Sequence, residues 1–109
     1  MILNIRIEGK TTPITIPKEL LSEGVNFFSK LDADMNKGWQ MSRDWVQKPN
    51  AVQRCQIVAD KILTAIEKKN SKTMSLFAAY ILHKLDKVTA VDIATNGDML
   101  DTVFEYSAS

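Results

Sequence analysis

The stretch NAVQRCQIVADKILTAIEKKNSKTMSLFAAYILHKL, residues 50–85, decides the fold. In its first half Val52, Cys55, Ala59, Ile62 and Ile66 recur at three- and four-residue steps and make one apolar stripe, widened by Val58, Leu63 and Ala65. Gln53, Gln56, Asp60 and Glu67 fall outside that stripe, so one face of a helix is set for burial. Asn50 suits the N-cap, and Gln53 three residues later completes a capping box in its amide form. In the second half Met74, Phe77, Ala78, Ile81 and Leu85 form the inward stripe, flanked by Leu76 and Tyr80, with Asn70 or Ser71 as cap. Two amphipathic helices joined by so short a polar turn pack against each other, and Ala78 and Ala79 permit close approach of a neighbour.

Upstream, Leu3, Ile5 and Ile7 alternate with Asn4, Arg6 and Glu8, and Thr12, Ile14 and Ile16 alternate likewise after Gly9. Period-two patterning on both sides of a break reads as a β-hairpin. A loop of Glu8 to Thr11 sets Ile7 opposite Thr12, Ile5 opposite Ile14 and Leu3 opposite Ile16. Pro13 then falls at a non-hydrogen-bonded pair, and its missing N–H requires the outer side of that strand to be a free sheet edge. From Pro17 the pattern turns helical, with Phe27, Phe28, Leu31 and Met35 in register and Gly38 as the stop. Trp39 to Val46 is expected as another short helix, closed by Pro49.

Downstream, Val91 to Thr95 leads into Asn96-Gly97, the dipeptide favoured by a tight type I′ turn, and Met99 to Phe104 returns. That turn sets Ile93 opposite Leu100, Val91 opposite Thr102 and Asp92 opposite Asp101. The sum is a two-layer α+β fold: an antiparallel sheet from the N- and C-terminal hairpins packed against three to four helices, in a single domain over residues 1–109.

At 109 residues, with 45% hydrophobic and 25% charged residues, the composition is that of an ordinary globular domain able to build its own core. Cys55 is the only cysteine, so no intramolecular disulfide forms, and the lone thiol suits a reducing, cytoplasmic setting. No apolar run approaches the roughly 20 residues that span a bilayer, and Met1 to Arg6 carries no export signal; no membrane role is expected. The net charge of +1 hides an asymmetry. Arg54, Lys61, Lys68, Lys69, Lys72 and Lys84 dominate the central helices, while Asp92, Asp98, Asp101 and Glu105 dominate the last segment.

Four groups of residues are candidates for chemistry. Cys55 and His83 are the minimum for a cysteine nucleophile, but Cys55 belongs to the buried stripe and His83 is turned about 200° from Ile81, so contact is not expected. Asp92, Asp98 and Asp101, with Glu105, supply oxygen ligands for a hard cation but lack calcium-loop spacing, and neither a metal nor a cofactor is expected. Arg54, Lys61 and Lys68 are seven apart and align on one helix face, which with Lys69 and Lys72 makes a candidate phosphate-binding stripe without aromatic interleaving. Trp39, Arg43 and Trp45 concentrate the residue types that most often anchor interfaces, and Trp39 can stack on Arg43 at helical spacing. The expected function is therefore a small non-catalytic interaction or regulatory module that binds a protein partner or itself through Trp39, Arg43 and Trp45, and through the free edge of Thr12 to Ile16. Nucleic-acid binding through the basic face is the alternative.

Overall fold

A computed structural model of the chain, described over residues 1–107, places the elements in the order β1 (Ile2–Ile7), β2 (Lys10–Thr15), α1 (Lys18–Glu23), α2 (Val25–Met35), β3 (Trp39–Met41), β4 (Asp44–Val46), α3 (Ala51–Glu67), α4 (Ser71–Lys84), β5 (Val88–Asp92) and β6 (Val103–Tyr106), with a single 3-10 turn at Met99–Asp101. The α+β class is as the pattern requires. A four-stranded sheet of order β2-β1-β5-β6 joins both ends of the chain, and β3 and β4 form a separate two-stranded ribbon. The Cα radius of gyration, 13.0 Å, is what one compact body of this length gives.

The two long helices form where the apolar stripes place them. Gln53 N donates to Asn50 Oδ1 at 2.8 Å while Asn50 N donates to Gln53 Oε1 at 2.9 Å, the full capping box. Asn70 caps α4 by accepting from Thr73 N at 3.2 Å. Between the helices, Asn70 N reaches back to Ala65 O at 2.9 Å and Lys69 N to Ile66 O at 3.0 Å, a Schellman ending in which Lys69, at φ 55°, holds the left-handed position usually given to glycine. Leu3, Ile5, Ile14, Ile16 and Val91 from the sheet and Cys55, Val58, Ile62, Tyr80 and Ile81 from the helices close one core. The helices cover one face of the sheet; on the other, Ile2 stands exposed and Arg6 pairs with Glu105.

Four expectations change in detail. The N-terminal hairpin turns on two residues, not four: Glu8 and Gly9 sit at φ 51° and 81°, and Leu3 faces Ile14, Ile5 faces Thr12 and Ile7 faces Lys10. A slip of two residues leaves every side chain on its original face, so the apolar pattern tolerates either register, and the type I′ twist of the short turn selects between them. The slip moves Pro13 from opposite Arg6 to opposite Asn4, still on the edge strand and still at the non-hydrogen-bonded place required of it.

The two hairpins do join, but through a parallel pair, Ile5 beside Val91, so the sheet is mixed and not wholly antiparallel. Everything from β2 to β5 acts as the long crossover that parallel neighbours need.

Asn96-Gly97 does not make a tight turn. β6 begins only at Val103, which faces Asp92, while Phe104 faces Val91. Local side-chain bonds win here: Asp98 N donates to Asn96 Oδ1 at 2.9 Å, Leu100 N to Asp98 Oδ1 at 3.0 Å and Asn96 Nδ2 to Asp101 Oδ2 at 2.8 Å. Finally, Trp39 to Val46 is a hairpin and not a helix, with Trp39 facing Val46 and Gln40 facing Trp45. Gly38 at φ 97° and Ser42 at φ 56° cannot lie inside a helix, and the second suits the first central position of a tight hairpin turn.

Glu8 is a poor occupant of its left-handed turn position, where asparagine is favoured. Glu8→Asn is expected to stabilise the fold by about 0.5–1 kcal/mol, read as a higher urea midpoint at unchanged m-value.

Candidate interaction surface

The perturbed titratable groups gather around Asp32 on α2. Its carboxylate accepts from Arg54 Nη1 at 3.0 Å, from Lys84 Nζ at 2.7 Å and from the Tyr80 hydroxyl at 2.6 Å. Partial burial alone would raise Asp32, but the bonds from Lys84, Tyr80 and Arg54 outweigh it and hold the carboxyl below the usual range. Tyr80 is held well above its ordinary value, by burial first and then because its hydroxyl donates to Asp32. Burial pushes the Cys55 thiol up to about 12, with Lys84 opposing and Asp32 adding to the rise. A buried thiol of that kind carries almost no thiolate near neutrality, and His83 lies exposed with its ring stacked on Phe28 at 5.1 Å. Asp32, Tyr80 and Cys55 thus serve packing and the docking of α2, and His83 packs on Phe28.

Three of the four acidic residues of the last segment have separate side-chain partners: Asp98 bonds Ser42, Asp101 bonds Asn96 and Glu105 pairs with Arg6, while Asp92 faces Val103 across the strand pair. Among the described residues no three His, Cys, Asp or Glu side chains converge for a metal.

The β3–β4 ribbon divides the residues proposed to act together. Cross-strand partners share a face, so Trp39, Met41 and Val46 point one way and Gln40 and Trp45 the other. Trp39 turns toward α3, half-buried, with Lys61 Nζ 5.0 Å from its ring centroid. Stacking of Trp39 on Arg43 does not arise, because the helix that would align them is absent. Trp45 is 58% exposed, and Arg43 stands exposed in the turn.

The exposed ring nonetheless packs on the chain. It lies against Gly38, where an added Cβ would sit 2.5 Å from Cζ2 and 2.9 Å from Cε2. The ribbon is also anchored across the chain, since Ser42 Oγ donates to Asp98 Oδ1 at 2.7 Å. Arg43, Asp44, Asn96 and Asp98 line a polar cleft beside it. Neither Gly38 as a seat for the ring nor Ser42 as an anchor was singled out from sequence; the period-two run Trp39-Gln40-Met41 was the available signal.

No family model, curated protein or solved structure matches this chain.

The basic stripe is interrupted. Arg54 is committed to α2 and the loop before α3, its Nε donating to Pro49 O at 2.8 Å and its Nη2 to Asn36 Oδ1 at 2.6 Å besides the Asp32 pair. Lys61 covers Trp39, which leaves Lys68, Lys69 and Lys72 exposed near the α3–α4 turn. No helix among the described residues is long and apolar enough to cross a membrane.

A carboxylate held below its unfolded value stabilises the fold above that value, near pH 4, and the contribution fades as pH falls through the lowered folded value. Asp32→Asn is accordingly expected to cost about 1–3 kcal/mol at pH 7 and far less at pH 3, measured by urea unfolding of both proteins at each pH. Gly38→Ala combines a left-handed backbone with a clash on the Trp45 ring. A loss of about 1–3 kcal/mol is expected, together with weaker near-UV circular dichroism as Trp45 loses its seat.

Proposed function

We propose that the protein is a small non-catalytic interaction module of the cytoplasm that presents Trp45, with Arg43 beside it, to a protein partner or to a second copy of itself. The observation that carries this reading is the supported exposure of Trp45, more than half open yet packed against Gly38 on a ribbon tied to the last segment through Ser42. An aromatic anchor fixed before binding loses little side-chain freedom on association, and a polar rim such as the cleft beside Arg43 is the usual surround of such an anchor. Trp39, facing α3, serves by supporting the ribbon from behind. The employment of Asp32, Tyr80, Cys55 and His83 in packing supports the non-catalytic part of the reading, and a single reduced thiol supports the cytoplasmic part.

Nucleic-acid binding has thinner support, since Arg54 and Lys61 have other employment and Lys68, Lys69 and Lys72 of the original stripe are left, gathered at its one end. Salt separates the two: phosphate contacts weaken steeply as salt rises, whereas an aromatic-anchored contact changes little.

Trp45→Ser removes the anchor without touching the core. Sedimentation velocity over a concentration series, and capture from lysate of the source cells, are expected to show an association at 50 and 300 mM salt that the folded variant loses by about thirtyfold or more. Equal behaviour of the two proteins would remove Trp45 as a binding residue. Capture that disappears at the higher salt and survives Trp45→Ser would point to the basic residues instead.

A further inference from the structure

The tip of the β1–β2 hairpin and the α3–α4 turn stand apart, and between them runs a half-open groove of about 560 Å³. Ile5, Ile14, Ile66 and Met74 give it an apolar floor, and Lys10 and Lys69 stand at its mouth. We propose that this groove binds a small amphiphilic anion, an unbranched carboxylate of about ten carbons, with the chain on that floor and the carboxylate between Lys10 and Lys69.

Three observations select this occupant. The first is charge: neither Lys10 nor Lys69 has an ion-pair partner among the described residues, and the one carboxylate in the lining, Glu8, accepts from Thr95 Oγ1 at 3.4 Å. Two cations against one engaged carboxylate favour an anionic head group. The second is backbone. Glu8 and Lys69 are two of the four non-glycine residues at positive φ, and both line this groove. Glycine would relieve Lys69 at the Schellman position, so the chain keeps a cation there at a conformational cost. The third is Pro13. It lies on the edge strand beside the groove and removes the outward N–H from the middle of that edge, so an extended peptide cannot complete a ladder along β2. A ligand held by side chains fits where an added strand does not. The groove shares no lining residue with the Trp45 ribbon, and its occupancy is independent of the partner reading above.

The test uses the full chain with methyl-labelled isoleucine and methionine, titrated with decanoate, with decanol and with anionic phospholipid vesicles. Decanoate is expected to shift the Ile5, Ile14, Ile66 and Met74 methyl resonances saturably. Lys10→Gln/Lys69→Gln alters two exposed side chains and keeps the fold. It is expected to weaken decanoate about tenfold, the effect of two partly exposed charge contacts, and to leave decanol unchanged. Equal loss of both ligands in the variant, shifts confined to other methyls, or no saturable shift up to a few millimolar would overturn the proposal. So would a response to vesicles with none to free decanoate, which would make the groove a lipid-surface contact.

Discussion

Helix α3 is the member on which the other parts of the fold rest. Cys55, Gln56, Ile57, Val58 and Ala59 are five buried residues in succession, so the middle of this helix is enclosed on all sides and not along one stripe. Each neighbour is held to it by a distinct contact. α4, with Ala78 and Ala79 buried, packs along it, α2 is tied by Arg54 to Asp32 and Asn36, and Lys61 meets the β3–β4 ribbon at Trp39. Gln56 sends its amide to Leu100 O at 3.2 Å and Thr102 O at 3.1 Å, fixing the segment that leads into β6. A buried glutamine is otherwise costly; here it satisfies carbonyls that would each lose about 1–3 kcal/mol if left unmet. The polar residues of α3 thus distribute their contacts as widely as its apolar ones.

How much of this could be read from the chain follows from the range of each signal. The capping box at Asn50 and Gln53 and the stripes of α3 and α4 are properties of neighbouring residues, and they survive folding unchanged. Pro13 revealed an edge because a missing N–H has the same consequence in any sheet. The ribbon at Trp39 to Val46 reads as helical from sequence because Trp39 and Arg43 are compatible with helical spacing, and the decisive facts, positive φ at Gly38 and Ser42, are backbone states that serine does not advertise. Asn96-Gly97 misled in the opposite direction. Its turn preference is real, but Asp98, Asp101 and Gln56 offered that segment more bonds in a longer path than a tight hairpin would. The parallel β1–β5 pair depends on chain ends about ninety positions apart and leaves no local mark.

The candidate site was legible in its residues and not in its arrangement. Trp45 and Arg43 are exposed on the ribbon, whereas Trp39 belongs to its inner face. Arg54 shows the same limit: a seven-residue charge spacing locates a helix face but does not say what covers it. Here α2 covers it, and a residue suited by type to phosphate becomes the partner of Asp32. The substitution of roles is physically coherent. Arg54 gains a carboxylate, an amide oxygen and a backbone carbonyl together, a set that a planar five-donor group satisfies and an ammonium does not.

The left-handed residues Glu8, Ser42, Lys69 and Lys87 put the same constraint in another light. Compact elements joined by connections this short need positive φ at the joints, and glycine supplies it at Gly9 and Gly38. At Ser42 a non-glycine residue returns a bond, because its hydroxyl reaches Asp98 and ties the ribbon to the last segment. At Glu8 and Lys69 no comparable gain inside the fold offsets the strain: one makes a single bond at 3.4 Å and the other stands with its ammonium in solvent. Strain retained without internal return lies, in this chain, on both sides of one apolar groove. Stability would favour glycine or asparagine at both joints, and the charged side chains that stand there face outward over a surface the core does not use.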